Sequence, residues 1–147
     1  MIAGRKGWLY EPVFEAIRRL ELGERVQTLD FVGDSDLPMV YNLADVFAYP
    51  SIYEGFGFPV LEAGACGLPV VCAATSSLPE AAGDAALLVD PLDTAALAAA
   101  LRRIVGDTQL RQDLIAKGHA NLARFRWEDV AAQTLGVLEA AGSGRLA

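Results

Sequence analysis

The order of apolar runs along the chain constrains its fold more than any other feature. VQTLDFV (26–32), DVFAYPS (45–51), LPVVCAA (68–74) and ALLVD (86–90) are short and nearly continuously hydrophobic. Segments with helical spacing or helix-capping residues separate them. A strand that is apolar on both faces must be covered on both faces. Alternation of such strands with helices specifies a parallel sheet rather than hairpins. The expected fold class is therefore α/β: a Rossmann-like parallel sheet with helices on both faces.

The punctuation between the runs supplies further expectations. MIAG at the start reads as the last residues of another buried strand, cut short, so the natural domain is expected to extend upstream of Met1. Residues 8–22 have helical spacing, with Val13, Ile17 and Leu20 on one face and Gly23 just past the end. Asp36 stands where it can cap a short helix through Leu43. Phe58 to Ala65 reads as a helix, with Pro59 in its first turn. Ser77, Leu78, Pro79 and Glu80 match a capping box before a short helix closed by Gly83. From Thr94 onward the pattern is helical, over 95–105, 107–123 and 128–141. The expectation is one domain over 1–141 with a helical C-terminal layer, then a frayed tail at 142–147.

Charge narrows the class of partner. The formal net charge is −7, which argues against nucleic acid. Its distribution is more informative: from Val26 to Leu101 there are ten acidic residues and no lysine or arginine. No apolar run approaches the roughly 20 residues that span a bilayer. Arg5 and Lys6 lead into a mixed helix rather than a signal-peptide core. A cytoplasmic location is expected, free or peripheral on the inner membrane face. Cys66 and Cys72 lie in apolar surroundings without metal-ligand spacing and read as buried reduced thiols. His119, the single histidine, reads as a surface residue.

One stretch departs from regular structure. EGFGFPVLE (54–62) has an acid, two glycines around Phe56, a proline, and a second acid. In an open parallel sheet, ligands bind beyond the carboxyl ends of the strands, and Glu54 follows the strand DVFAYPS directly. Gly55 and Gly57 remove two Cβ atoms, so that backbone N–H groups can approach a ligand. The helix that Pro59 starts leaves early amides, those of Val60 and Leu61, without intrahelical partners, and such amides favour a phosphate. Two carboxylates beside an anion site serve best as acceptors for hydroxyl groups. A nucleotide sugar, with phosphates in its middle and a hydroxylated ring at each end, meets every requirement. An ordinary glycine-rich loop with an acid in the following helix is the competing reading.

The run E-G-F-G-F-P-V-L-E-A (54–63) resembles the E-x7-E motif of the retaining glycosyltransferases of GT-B fold, the large family-four group. GRKGWLYEPVFEAI, FVGDSDLPMVYNLADVFAYPS, ACGLPVVCAATSSLPEAAGDAALLVDPLD and FRWEDVAAQT resemble further blocks of that family, in order, from about residue 2 to 141. The resemblance implies the C-terminal, donor-binding half of a GT-B fold with its first strand truncated. It implies transfer of a sugar from a nucleotide-diphosphate donor with retention at the anomeric carbon. Glu54 would lie by the donor sugar and the reacting centre, and Glu62 would hold the ribose hydroxyls. The amides of Gly55, Phe56 and Gly57 would contact the sugar, and those of Val60 and Leu61 the diphosphate. Val32 and Gly33 would border the base, with Leu37 packing against it or simply forming core.

The resemblance implies no metal and no cofactor besides the donor, a UDP- or GDP-linked hexose. Two family features are missing from the sequence: the N-terminal acceptor-binding domain, and an arginine and a lysine early in the donor domain, whose positions would precede Met1. The fragment is therefore expected to be inactive alone. Its expected partners are the nucleotide sugar and an acceptor domain in the same chain or in trans. Two alternatives share the architecture: a stand-alone nucleotide-sugar-binding module or subunit of a split transferase, and a GT-B nucleotide-sugar epimerase. Glu80 is expected to complete its capping box and Trp127 to pack the last helix. Arg5 and Lys6 read either as solvated or as close to the donor.

Overall fold

The structure, a computed structural model, describes residues 1–7 and 10–144. The chain forms two compact units, Met1–Val40 and Tyr41–Ala147. In the first, strand β1 (Ile2–Ala3) pairs in parallel with β2 (Thr28–Leu29), Ile2 beside Thr28 and Ala3 beside Leu29. The strand expected over 26–32 is only two residues long. Its ladder is limited to what residues 2–4 offer, ending where Gly4 N–H donates to Leu29 O at 3.2 Å.

Helix α1 (Glu11–Arg19) and a 3-10 turn at Gly23–Arg25 connect the two strands. Pro12 sits in the first turn, where its missing N–H costs nothing. The expected start at Trp8 falls, with Leu9, outside the described residues. The end differs from expectation. Leu22 N–H donates to Ile17 O (3.0 Å) and Glu21 N–H to Arg18 O (3.1 Å), the two bonds of a Schellman motif. Glu21 takes its left-handed position at φ 53°, so the helix closes before Gly23 is reached.

Helix α2 (Leu37–Asn42) follows Asp36, whose carbonyl accepts from Met39 and Val40. The Asp36 carboxylate is engaged instead by the Ser35 hydroxyl at 3.3 Å, so the expected side-chain cap is not formed. Among the described residues of the first unit, none is fully buried.

The second unit holds the core. Strands β3 (Phe47–Tyr49), β4 (Val70–Ala73) and β5 (Ala86–Val89) form a parallel sheet in that order. The central strand β4 is wholly buried. Register puts Phe47, Val70 and Ala86 side by side, then Tyr49, Cys72 and Leu88. On the opposite face Val71 and Val89 pack with Ala100 and Ile104 of α5 (Thr94–Gly106) and Leu114 of α6 (Thr108–Asn121). Asp93 and Asp107 cap these helices, accepting from Ala96 N–H at 2.9 Å and Leu110 N–H at 3.0 Å.

Helices α3 (Phe58–Ala65) and α4 (Leu78–Ala82) follow β3 and β4. A Cβ added at Gly118 of α6 would lie 3.4 Å from Gly64 Cα, so two glycines set the close approach of α3 and α6. The buried Asn121 amide donates to Ala81 O and accepts from Arg124, each at 2.8 Å, tying the end of α6 to α4. Helix α7 (Trp127–Gly142) ends the described chain, with Val130, Leu135, Val137 and Leu138 exposed. Part of the tail expected to fray, 145–147, lies outside the described residues. Cys72 is buried and Cys66 half-buried, both free, and His119 is exposed. Among the described residues no helix is long and apolar enough to cross a membrane.

Candidate functional site

Two loops leave the carboxyl ends of the adjacent parallel strands β3 and β4, the position where open α/β sheets bind ligands. They are stitched together by hydroxyl groups. Thr75 Oγ1 donates to Ser51 O (3.3 Å), Glu54 N–H donates to Ser76 Oγ (3.0 Å), and Ser77 Oγ donates to Glu54 O (3.0 Å). Ser77 therefore does not cap α4, which has no side-chain cap bond, and Glu80 is exposed. The expected capping box is absent because the Ser77 hydroxyl is committed to the neighbouring loop.

The loop after β3 carries Glu54, half-buried, and α3 carries Glu62, exposed. Each carboxylate is held by a phenol. Tyr49 OH donates to Glu54 Oε1 at 2.6 Å, and Tyr41 OH donates to Glu62 Oε2 at 2.9 Å. Burial first, then the hydrogen bond to the carboxylate and its charge, raise both phenols far above the ordinary tyrosine range. Both are accordingly protonated donors at any physiological pH. Their rings form one row: Tyr41 meets Phe47 edge-on at 5.4 Å, and Phe47 stacks with Tyr49 at 5.6 Å.

Between the acids, Gly57 is buried at φ 107° and forms the cap of α3. A Cβ there would lie 2.7 Å from Leu78 Cδ2. The need for glycine at 57 is thus already fixed by backbone conformation and packing, independent of any ligand. Gly55 is exposed with open space around it. Val60 and Leu61 are buried, and Val60 N–H already donates to Gly57 O at 3.0 Å, contrary to the expectation of an unpartnered amide. The first turn has tightened onto its own cap residue. Phe56 packs on Phe58 (4.8 Å) and edge-on to Phe125 (5.4 Å), while Phe58 stacks on Trp127. These rings line an open cavity of about 440 Å³ with Glu62 and Val130.

The remaining sequence candidates belong to the first unit. Val32, Gly33 and Leu37 are half-buried there, and Gly33 O accepts from Asp36 and Leu37 N–H in the turn that opens α2. Arg5 lies over the Phe31 ring at 4.6 Å, and Lys6 approaches the rings of Tyr10 and Phe14. Tyr41, Tyr49, Ser76 and Ser77 are site residues that sequence reasoning missed. A partial signal exists in the cation-free stretch: with no lysine or arginine from 26 to 101, a carboxylate there has no cation close by in sequence, although Asp45 and Asp84 reach Arg111 and Lys117 across the fold. Among the described residues, no group of histidine, cysteine and acid side chains is arranged to hold a metal ion.

The family model described as glycosyl transferases group 1 matches residues 1–120. The chain belongs to this family. Among curated relatives of this glycosyl transferase chain, O-antigen chain mannosyltransferase B of Escherichia coli is 40% identical over 135 residues, 92% of the chain and 35% of that protein. Among solved structures, sucrose-phosphate synthase from Thermosynechococcus elongatus superposes with a TM-score of 0.85 at 30% identity, covering 96% of this chain and 37% of the other. HepE of Anabaena, solved in complex with UDP-glucose, gives a TM-score of 0.84 at 26% identity, covering 94% and 40%. The chain spans 35% of that mannosyltransferase and as little as 12% of other curated relatives, such as the serotype-specific mannosyltransferase WbdA of Escherichia coli. Its structural neighbours are GT-B glycosyltransferases, and the match is to their C-terminal part. The expected fold class and family are thus both met by this group 1 glycosyl transferase chain.

Proposed function

We propose that this chain is the donor-binding part of a retaining glycosyltransferase whose donor is a UDP- or GDP-linked hexose. The observation that carries the reading is the pair of carboxylates, Glu54 and Glu62, flanking one glycine turn at a strand end, each fixed by a phenol. The named relatives add support: one is a mannosyltransferase, and HepE was solved with UDP-glucose. In this reading Glu62 accepts from the ribose diol. Glu54 orients the sugar and stabilises positive charge near the anomeric carbon. The backbone of Gly55, Phe56 and Gly57 contacts sugar hydroxyls. Val60 and Leu61 amides meet the diphosphate, and Val60 N–H must then be shared with Gly57 O.

Much of the barrier lowering in such a transfer comes from stabilising the departing diphosphate. A helix terminus contributes about 0.3–1 kcal/mol to an exposed anion, less than charge-assisted pairs give. No cation lies between residues 26 and 101. The isolated chain should therefore bind its donor weakly and not transfer sugar. An acceptor-binding domain, in the same polypeptide or in trans, completes the cleft. The exposed apolar residues of α7 fit a reading in which the acceptor domain, in the same polypeptide or in trans, covers that helix.

The test is Glu62→Ala. It should weaken UDP-glucose and GDP-mannose far more than inorganic phosphate in calorimetric or NMR titrations. Equal loss for both ligand types overturns the ribose role.

A further inference from the structure

We infer that Tyr41 and Tyr49 are positioning residues, each holding one carboxylate by a single oxygen so that the other oxygen is left for the ligand. This rests on the nucleotide-sugar reading above and assigns the residues that set its geometry. The bonds end on Glu54 Oε1 and Glu62 Oε2. Glu54 Oε2 and Glu62 Oε1 have no protein partner among the described residues.

Four features separate this arrangement from a chance surface pair. Tyr41 is only 8% exposed, although the glutamate it holds is exposed, so the rigid member of the pair is the phenol. Phe47 lies between the two tyrosine rings and joins them into one row, rooted in β3 and α2. The two carboxylates come from different elements, a loop and a helix, so without a common brace their separation would vary with each. A neutral donor also fixes a carboxylate without neutralising it, and among the described residues neither acid forms an ion pair, although Arg126 lines the cavity beside Glu62. A lysine in place of Tyr49 would cancel the Glu54 charge that is proposed to face the anomeric centre.

The experiment titrates wild type, Tyr41→Phe and Tyr49→Phe with UDP-glucose, UDP and 2′,3′-dideoxy-UDP, and with GDP-mannose, GDP and dideoxy-GDP. Tyr41→Phe should raise the Kd of sugar nucleotide and nucleotide alike, about tenfold as expected for losing a charge-assisted hydrogen bond, and leave the dideoxy nucleotides unchanged. Tyr49→Phe should raise the Kd of the sugar nucleotides by a similar factor and leave UDP and GDP unchanged. Combining Tyr41→Phe with Glu62→Gln should cost no more than the larger single loss. Uniform weakening of every ligand, or wild-type affinity throughout, overturns the inference while the wild-type titration still stands for the donor reading. If wild type binds neither sugar nucleotide, the donor reading fails and this inference with it.

Discussion

Gly55 and Gly57 look alike in the sequence, yet the structure assigns them opposite sensitivities. Replacing Gly57 by alanine imposes two costs. The residue holds φ 107°, a conformation that L side chains avoid at roughly 1–2 kcal/mol. The new Cβ would also lie 2.7 Å from Leu78 Cδ2 and 3.6 Å from Ala81 Cβ. Leu78 is completely buried, so it cannot swing aside into solvent. Overpacking of this kind costs roughly 1–3 kcal/mol. The sum is about 2–5 kcal/mol, which at roughly 3 °C per kcal/mol for a chain of this size lowers Tm by about 6–15 °C. Gly55 meets nothing within 4 Å and has no positive φ, so Gly55→Ala should stay within about 0.5 kcal/mol of wild type. Thermal and urea unfolding of the two variants decide the matter. A Gly57→Ala protein within 0.5 kcal/mol of wild type, or equal losses for both, would refute the reasoning.

Other consequences can be measured in the same way. Glu21→Gly should stabilise the chain by about 1 kcal/mol, because Glu21 occupies the left-handed Schellman position at φ 53°; a lower urea midpoint would contradict this. Burial pushes the Cys72 thiol from 9.0 up to about 11. A folded-state pKa above the unfolded one gives stability that is full below pH 9 and lost as pH rises through 11. Unfolding followed from pH 8 to 11 should show that decline, and Cys72→Ala should remove the part below pH 10, where the raised phenols of Tyr41 and Tyr49 have not yet begun to contribute.

Local pattern was enough for some elements and not for others. Phe58–Ala65 was legible to the residue, because Pro59 marks its first turn and Gly67 follows its end. The four runs read as strands are parallel strands, since being apolar on both faces leaves no other arrangement. Their lengths were over-read, most of all at 26–32, because a ladder is as long as its partner and the partner residues lie elsewhere in the chain. The same limitation explains the capping-box error. Ser77 has the right neighbours for a cap, but its hydroxyl bonds Glu54 O, 23 residues away. At the site, the acids and the glycine turn were visible as a motif. The phenols were not, because Tyr41 lies 21 residues from the Glu62 it holds. Tyr49, five residues before Glu54, looks like any aromatic in a strand. Only the cation-free stretch hinted at hydroxyl partners for these two acids, and Asp45 and Asp84 of the same stretch pair instead with Arg111 and Lys117.

The most direct test of the donor-site assignment is an amide NMR titration of the chain with UDP-glucose and with GDP-mannose. The account predicts shifts for one of them concentrated at Glu54 to Leu61 and at Thr75 to Ser77. Saturation by both with no change in those amides would contradict it.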